Sequence, residues 1–190
     1  MKKLLFFLLL VFALYGQVKA QRFLSGQQGI QITGGMTDGT CGFSQPNAYY
    51  LGAALSTYTN KDNRWVFGGE YLLKQYAYKD SYIPQVQFTA EGGYYLNLLS
   101  DKHKTFLLSA GGSLVVGYET SNWGKKLLFD GATLQNKDAF IYGGTITLEV
   151  EMYLSDRTIL LVNSRERILW NSSFGTFHTQ YGIGLKFIIN

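Results

Sequence analysis

Three shortages bound this chain. Among 190 residues there is a single cysteine, Cys41, and there are two prolines. One cysteine cannot close a disulfide within the chain, and Thr40-Cys41-Gly42 fits no metal-ligand spacing, so Cys41 reads as an inert loop thiol. Few prolines mean few interruptions to a hydrogen-bonded ladder, because proline removes a backbone donor. After residue 20 no stretch approaches the roughly 18 apolar residues that a membrane-spanning helix requires, so any later crossing must use strands. Chemical motifs are missing as well: no G-x-S-x-G, no phosphate-binding glycine loop and no metal-ligand spacing. The sequence therefore calls for no cofactor and no metal, and it reads as a non-enzyme.

The N-terminus indicates a compartment. Lys2 and Lys3 precede an apolar run from Leu4 to Tyr15, and Val18-Lys19-Ala20 offers a small-x-small cleavage site. This is the layout of a secretory signal peptide over residues 1–20, with Sec-type export and cleavage near Ala20-Gln21. Gln21 is not a cysteine, which argues against a lipid-anchored lipoprotein. The formal charge of +4 shrinks with the leader: three of 17 basic residues go and no acidic ones, leaving 14 against 13. No basic cluster interleaved with aromatics remains, so no direct nucleic-acid binding is expected. Residues 21–190 suit a single β-barrel domain.

What the chain has in plenty is aromatic residues and glycine, with 14 Tyr, 13 Phe and 22 Gly. From Phe140 to Leu154 every second residue is apolar or glycine, while the other face carries threonines, Glu149 and Glu151. Strand side chains alternate between faces, so this segment has one greasy and one wet side. Period-two reading gives eight segments: 29–36, 49–59, 65–78, 83–98, 105–119, 140–154, 158–170 and 177–188. The faces of 49–59 are ambiguous and 158–170 is the least regular. Short polar connections (59–64, 99–104, 155–157) alternate with others that are mostly longer (37–48, 79–82, 121–138, 171–176). That alternation predicts an antiparallel up-and-down outer-membrane β-barrel of eight strands, with short periplasmic turns and longer outer loops. A soluble barrel of lipocalin type is the competing architecture, but Phe88, Tyr94, Leu96, Ile146, Leu148 and Val150 point outward.

Glu70, Glu91, Glu119, Glu149, Glu151, Lys74, Arg165, Arg167 and Lys186 fall on wet faces. Eight strands leave an interior only wide enough for side chains, so charges there must be paired. We expect Arg165 and Arg167 to pair with Glu149 and Glu151 on the neighbouring strand. A catalytic reading of the carboxylates, as in a lipid-modifying barrel enzyme, is the runner-up. His178 lacks a serine two positions on, and His103 sits in the lysine-flanked turn Asp101-Lys102-His103-Lys104. The segment 121–138 is the one loop long enough for a binding surface. Trp123, Lys125, Lys126, Leu127, Leu128 and Phe129 are its candidate partner contacts, and the alternative is that they fold back as a lid or join the aromatic girdle.

The last segment adds a targeting clue. Gln180, Gly182, Leu185 and Phe187 fit a terminal-strand insertion signal of bacterial outer-membrane barrels, although three residues follow Phe187. Longer strings carry a family resemblance: Asn63–Tyr71 (NRWVFGGEY), Gly117–Leu134 (GYETSNWGKKLLFDGATL), Asp138–Gly144 (DAFIYGG) and Phe177–Asn190. Across Arg22–Asn190 the chain resembles the TraO family of Bacteroidetes conjugative transposons. The resemblance implies an outer-membrane component of the DNA-transfer (mating) apparatus with a structural, anchoring role, whose partners are outer-membrane lipid and other conjugal transfer proteins. It supplies no catalytic residue. A small outer-membrane binding or adhesion barrel is a further alternative.

Overall fold

A one-residue slip in a strand moves every side chain to the opposite face, so a chain with two unlike faces fixes its own register. In this computed structural model, which describes residues 25–38, 48–79, 81–102, 104–128, 130–134, 138–173 and 175–189, that constraint holds through eight strands. The leader 1–20, Cys41, His103 and Phe129 lie outside the described residues. The strands are β1 (Gln28–Thr37), β2 (Ala48–Tyr58), β3 (Arg64–Tyr78), β4 (Ser81–Ser100), β5 (Phe106–Ser121), β6 (Ala139–Tyr153), β7 (Thr158–Trp170) and β8 (Phe177–Ile188). Each pairs antiparallel with the next, and β8 pairs with β1 through Ile30↔Phe187 and Gly34↔Ile183 to close the barrel. Closure removes both sheet edges, so the backbone ladder has no unpaired flank.

The start of β1 and the finish of β8 share one end, with the short β2–β3, β4–β5 and β6–β7 turns. The other four connections lie at the opposite, loop end. The ambiguous second segment resolves cleanly: Tyr50, Ser56 and Tyr58 turn inward while Tyr49, Leu51 and Leu55 turn out. Two expected connections shrink. The 79–82 link becomes a tight turn because Tyr78 already pairs with Ser81. Arg64, expected in a turn, is a β3 residue opposite Tyr58 and Tyr95, with none of its surface exposed.

Outward positions form an apolar belt with Ile32, Leu51, Leu114, Ile146, Leu148 and Ile183 among its exposed residues. Aromatic pairs border it: Trp65 and Tyr94 lie 4.8 Å apart toward the terminal end, Tyr142 and Trp170 lie 6.0 Å apart toward the loop end. No helix among the described residues is long and apolar enough to cross a membrane. Inside, the lumen is filled. Tyr58, Leu107, Tyr153, Ile159, Leu161 and Ile188 make an apolar cluster at the terminal end, and Val115, Ile141 and Leu169 make a smaller patch on β5, β6 and β7 toward the loops.

Two glycines make room for inward tyrosine side chains. A Cβ on Gly111 would come within 2.6 Å of the Tyr95 ring, and one on Gly182 would collide with the Tyr50 hydroxyl. Gly111→Val is therefore expected to destabilise the barrel by about 1–3 kcal/mol, the usual range for overpacking. Combined with Tyr95→Ala it should cost less than the two single changes summed, in urea titrations of the refolded protein. Strict additivity would show that the two side chains do not compete for that space.

Candidate functional site

Two tiers of buried charge cross the lumen. In the tier nearer the terminal end, Arg64 on β3 donates to Glu149 at 2.6 Å and Glu151 at 3.3 Å on β6, and to Ser109 at 3.0 Å. Lys186 on β8 also pairs with Glu151, and the Tyr58 hydroxyl donates to the same carboxylate at 3.1 Å. The Arg64 guanidinium lies 4.9 Å from the Tyr95 ring centre, a cation–π contact. Two cations thus face two carboxylates, and the tier carries no net charge.

The second tier repeats the arrangement. Arg165 pairs with Glu70 at 2.8 Å and with Glu91, while Arg167 pairs with Glu70 at 2.5 Å and donates to Thr89 at 3.1 Å. Gln180 donates to Glu70 at 2.9 Å. A buried charge stripped of its partner costs several kcal/mol, so balance within each tier is a condition of folding. Beside the tiers, Glu70, Glu91, Tyr95, Glu149, Asn163 and Arg165 border a cavity of about 20 Å³, the size of one water.

The expected pairing of Arg165 and Arg167 with Glu149 and Glu151 is corrected here. All four line the lumen, but the β6–β7 register sets Glu149 opposite Asn163 and Glu151 opposite Leu161, while Arg165 faces Thr147 and Arg167 faces Thr145. In so narrow a bore, carboxylates from β3 and β4 across the lumen lie as close as those next door. Arg64 was missed although it was legible: counting back in twos from Glu70 through Gly68 and Val66 reaches it.

Near the loop end, Glu119 is fully buried and accepts hydrogen bonds from Gln85 (2.7 Å), Gln87 (2.9 Å), Ser172 (2.7 Å) and the Ser173 amide (2.9 Å). At the mouth, Asp38 receives Lys74 at 2.7 Å and faces His178 Nδ1 at 3.2 Å. Burial raises the Asp38 pKa, but the hydrogen bonds from His178 and Lys74 outweigh it and hold the carboxyl below its ordinary value. His178 Nε2 faces the Gly175 carbonyl at 3.0 Å. Both ring nitrogens therefore lie against oxygen atoms, Nδ1 against Asp38 and Nε2 against the Gly175 carbonyl, and not against a nucleophile. Among the described residues no group of three His, Cys, Asp or Glu could hold a metal.

The segment after β5 does not cap the lumen. Asn122 and Trp123 take left-handed backbone at φ 50° and 54°, turning the chain back along the outer wall. Leu73, Val86 and Thr120 neighbour one another on the outward phase yet are buried, because this segment packs over them. Asp138 accepts from Thr120 at 2.9 Å and from the Ser121 amide at 3.2 Å. Lys126 and Leu134 then begin a small hairpin, bridged at Leu127↔Thr133. Asp130 at its tip meets Lys79 at 2.5 Å and Tyr78 at 3.1 Å. The Lys79 hydrogen bond, with the Ala132 amide, pulls the Asp130 pKa down to about 2, so this tie loses its charge only as the pH falls that far. Trp123, Lys125, Lys126 and Leu127 remain exposed, and Leu128 is half-buried.

Of the insertion-signal residues, Gln180 and Gly182 turn into the lumen, while Leu185 and Phe187 turn outward.

A family model described as conjugative transposon protein TraO matches residues 24–189. No curated protein matches the chain. Among solved structures, Ail, the attachment invasion locus protein of Yersinia pestis, in complex with the heparin analogue sucrose octasulfate, is similar with a TM-score of 0.56 at 9% identity, covering 87% of this chain and 100% of that one. Neisserial surface protein A is similar with a TM-score of 0.54 at 11% identity, covering 87% of this chain and 98% of that one. At such identities the likeness is one of fold.

Arg64→Met is expected to cost about 3–5 kcal/mol, since it removes the cation from Glu149 and leaves Glu151 to Lys186 and the Tyr58 hydroxyl. Adding Glu149→Gln should recover a measurable part, read as the urea midpoint of barrels refolded in lipid. Equal midpoints for the single and double variants would rule out the pairing as the source of the loss.

Proposed function

Because the chain belongs to the conjugative transposon protein TraO family, we propose that it is an outer-membrane β-barrel of the transfer apparatus with a structural, anchoring role. One observation carries this reading. The wall is apolar outside, while inside it is charge-paired and filled by side chains, with an apolar cluster at the terminal end. Such a wall suits lipid contact and leaves no bore for DNA, which a barrel of eight strands is too narrow to pass. The barrel would hold other transfer proteins at the membrane rather than conduct the substrate. Export would use residues 1–20 as a Sec-type signal peptide cleaved near Ala20-Gln21, leaving the barrel as residues 21–190. Gln180, Gly182, Leu185 and Phe187 would then serve the insertion machinery.

The surface loop supplies the contact. Trp123 and Leu127 are exposed large apolar residues beside Lys125 and Lys126, on the turn and hairpin braced by Asp138 and Asp130. A braced loop presents such residues with little further loss of conformational freedom on binding. Leu128 and Phe129 complete the candidate contact set. A lipid-modifying enzyme would need His178 as a base beside a nucleophile, and its ring nitrogens instead lie against Asp38 and the Gly175 carbonyl.

Fractionation of donor cells tests the location: the protein should remain with outer membranes and migrate faster on gels unheated than boiled. Recovery in the soluble periplasm would overturn it. Trp123→Ala with Leu127→Ala should lower transfer frequency by about tenfold or more, the usual scale for losing two interface anchors, while the heat-shifted band persists. Unchanged transfer would remove the loop from the partner interface.

A further inference from the structure

One charged side chain is on the unexpected face. Within the described strands the charged residues turn to the lumen, with a single exception. Glu166 sits between the inward Arg165 and Arg167 and therefore turns outward. Among the described residues its carboxylate accepts one hydrogen bond, from the Thr179 hydroxyl on β8 at 2.6 Å. Across β6 it faces Ile146, the middle of the seven outward positions from Phe140 to Met152. Along the same ladder the aromatic pair Tyr142↔Trp170 lies four residues away. That is about 13 Å of strand, or about 10 Å of depth at the usual strand tilt. Glu166 thus lies well below the girdle, inside the apolar belt. A carboxylate has two oxygens with about four acceptor sites, and one hydroxyl leaves most of them unmet at a depth where water is scarce.

An outward groove of about 700 Å³ begins two residues along β7, at Ser164, without Glu166 in its lining. It forms because Gly34 and Ser164 are small, between Met36 and Tyr181 on one flank and Leu148 and Val162 on the other. An apolar recess next to an under-satisfied carboxylate asks for an occupant with a bulky apolar side chain and a cation. A second copy of this chain cannot supply the cation from its wall, since the cations of the described strands turn inward. The ammonium of a lipid headgroup lies at girdle level, about 10 Å away by the same geometry.

We infer that Glu166 and the adjoining groove form an intramembrane docking surface for a membrane-embedded segment of another transfer protein, which brings a lysine or arginine to Glu166. The inference rests on the reading of the barrel as an outer-membrane component and names a contact additional to the loop. Removing one member of a desolvated ion pair weakens association strongly, so Glu166→Gln should reduce transfer by about tenfold or more without changing the heat-shifted band. A photo-crosslinking residue replacing Ser164, in donors carrying the whole element, should give an adduct whose mass identifies a protein of that element. The adduct should fade in the Glu166→Gln background, and the same probe replacing Phe67 on the opposite wall should not give it. Glu166→Lys should be suppressed by a lysine or arginine to glutamate change in the captured protein. Adducts only to lipid or to a second copy, equal capture from Phe67, or full transfer by Glu166→Gln would each overturn the inference. If the barrel fractionates and heat-shifts as an outer-membrane protein while Ser164 captures nothing, the docking surface alone fails. Recovery in the soluble periplasm would instead remove the reading on which it rests.

Discussion

Closing eight strands leaves a bore that side chains fill, and into that bore this chain sends arginines, lysines and glutamates. Charge balance inside a narrow lumen is the constraint on which the rest depends. Arg64 and Lys186 answer Glu149 and Glu151; Arg165 and Arg167 answer Glu70 and Glu91. Each tier ties β6 or β7 to strands on the far side, so the pairs brace the barrel across its diameter as the backbone ladder braces it around its circumference. The glycines follow from the same crowding. Tyr95 lies over the neighbouring strand and Tyr50 reaches Asn163 only because Gly111 and Gly182 leave space for them.

Much of this was legible in the chain, and the misses have physical causes. Alternation gave the eight strands and their faces, because period two is a local property of the backbone. It left 49–59 open because alanine, glycine and tyrosine suit either face; pairing with β1 and β3 decides the matter. The identities of the ion-pair partners were out of reach for a different reason. Sequence neighbours suggest that Arg165 meets Glu149, but the choice depends on the β6–β7 register and on which strands face each other across the bore. Neither can be read from one strand. Arg64 and Glu166 were within reach. Both follow from continuing the phase of strands already identified, Arg64 past an assumed turn and Glu166 past two conspicuous arginines.

The segment after β5 illustrates a limit of another kind. Its Trp, Leu and Lys content fits a lid, a girdle or a contact surface equally well. Three-dimensional neighbours separate these. The burial of outward-facing Leu73, Val86 and Thr120 draws the segment down the outer wall, and Asp130 fastens its tip to Lys79 on the adjoining hairpin. Being exposed, that last ion pair adds little to stability. Its consequence is positional: it fixes where Trp123 and Leu127 point rather than whether the barrel folds.

Inward charge and outward charge are therefore different problems in this molecule. An inward carboxylate finds its cation from another strand of the same chain, and the cost of removing it from water is met within the fold. Glu166 has no such recourse among the described strands; its one partner is a neutral hydroxyl. Serving no interior pair and lying beside a recess built from small residues, it is a poor stabiliser of this barrel alone. A carboxylate held by a single hydroxyl, on a face proposed to meet lipid, makes physical sense when a second protein completes its shell. On the proposed reading the outer wall would have two unlike regions: a generic apolar surface for lipid, and one side that takes a particular neighbour.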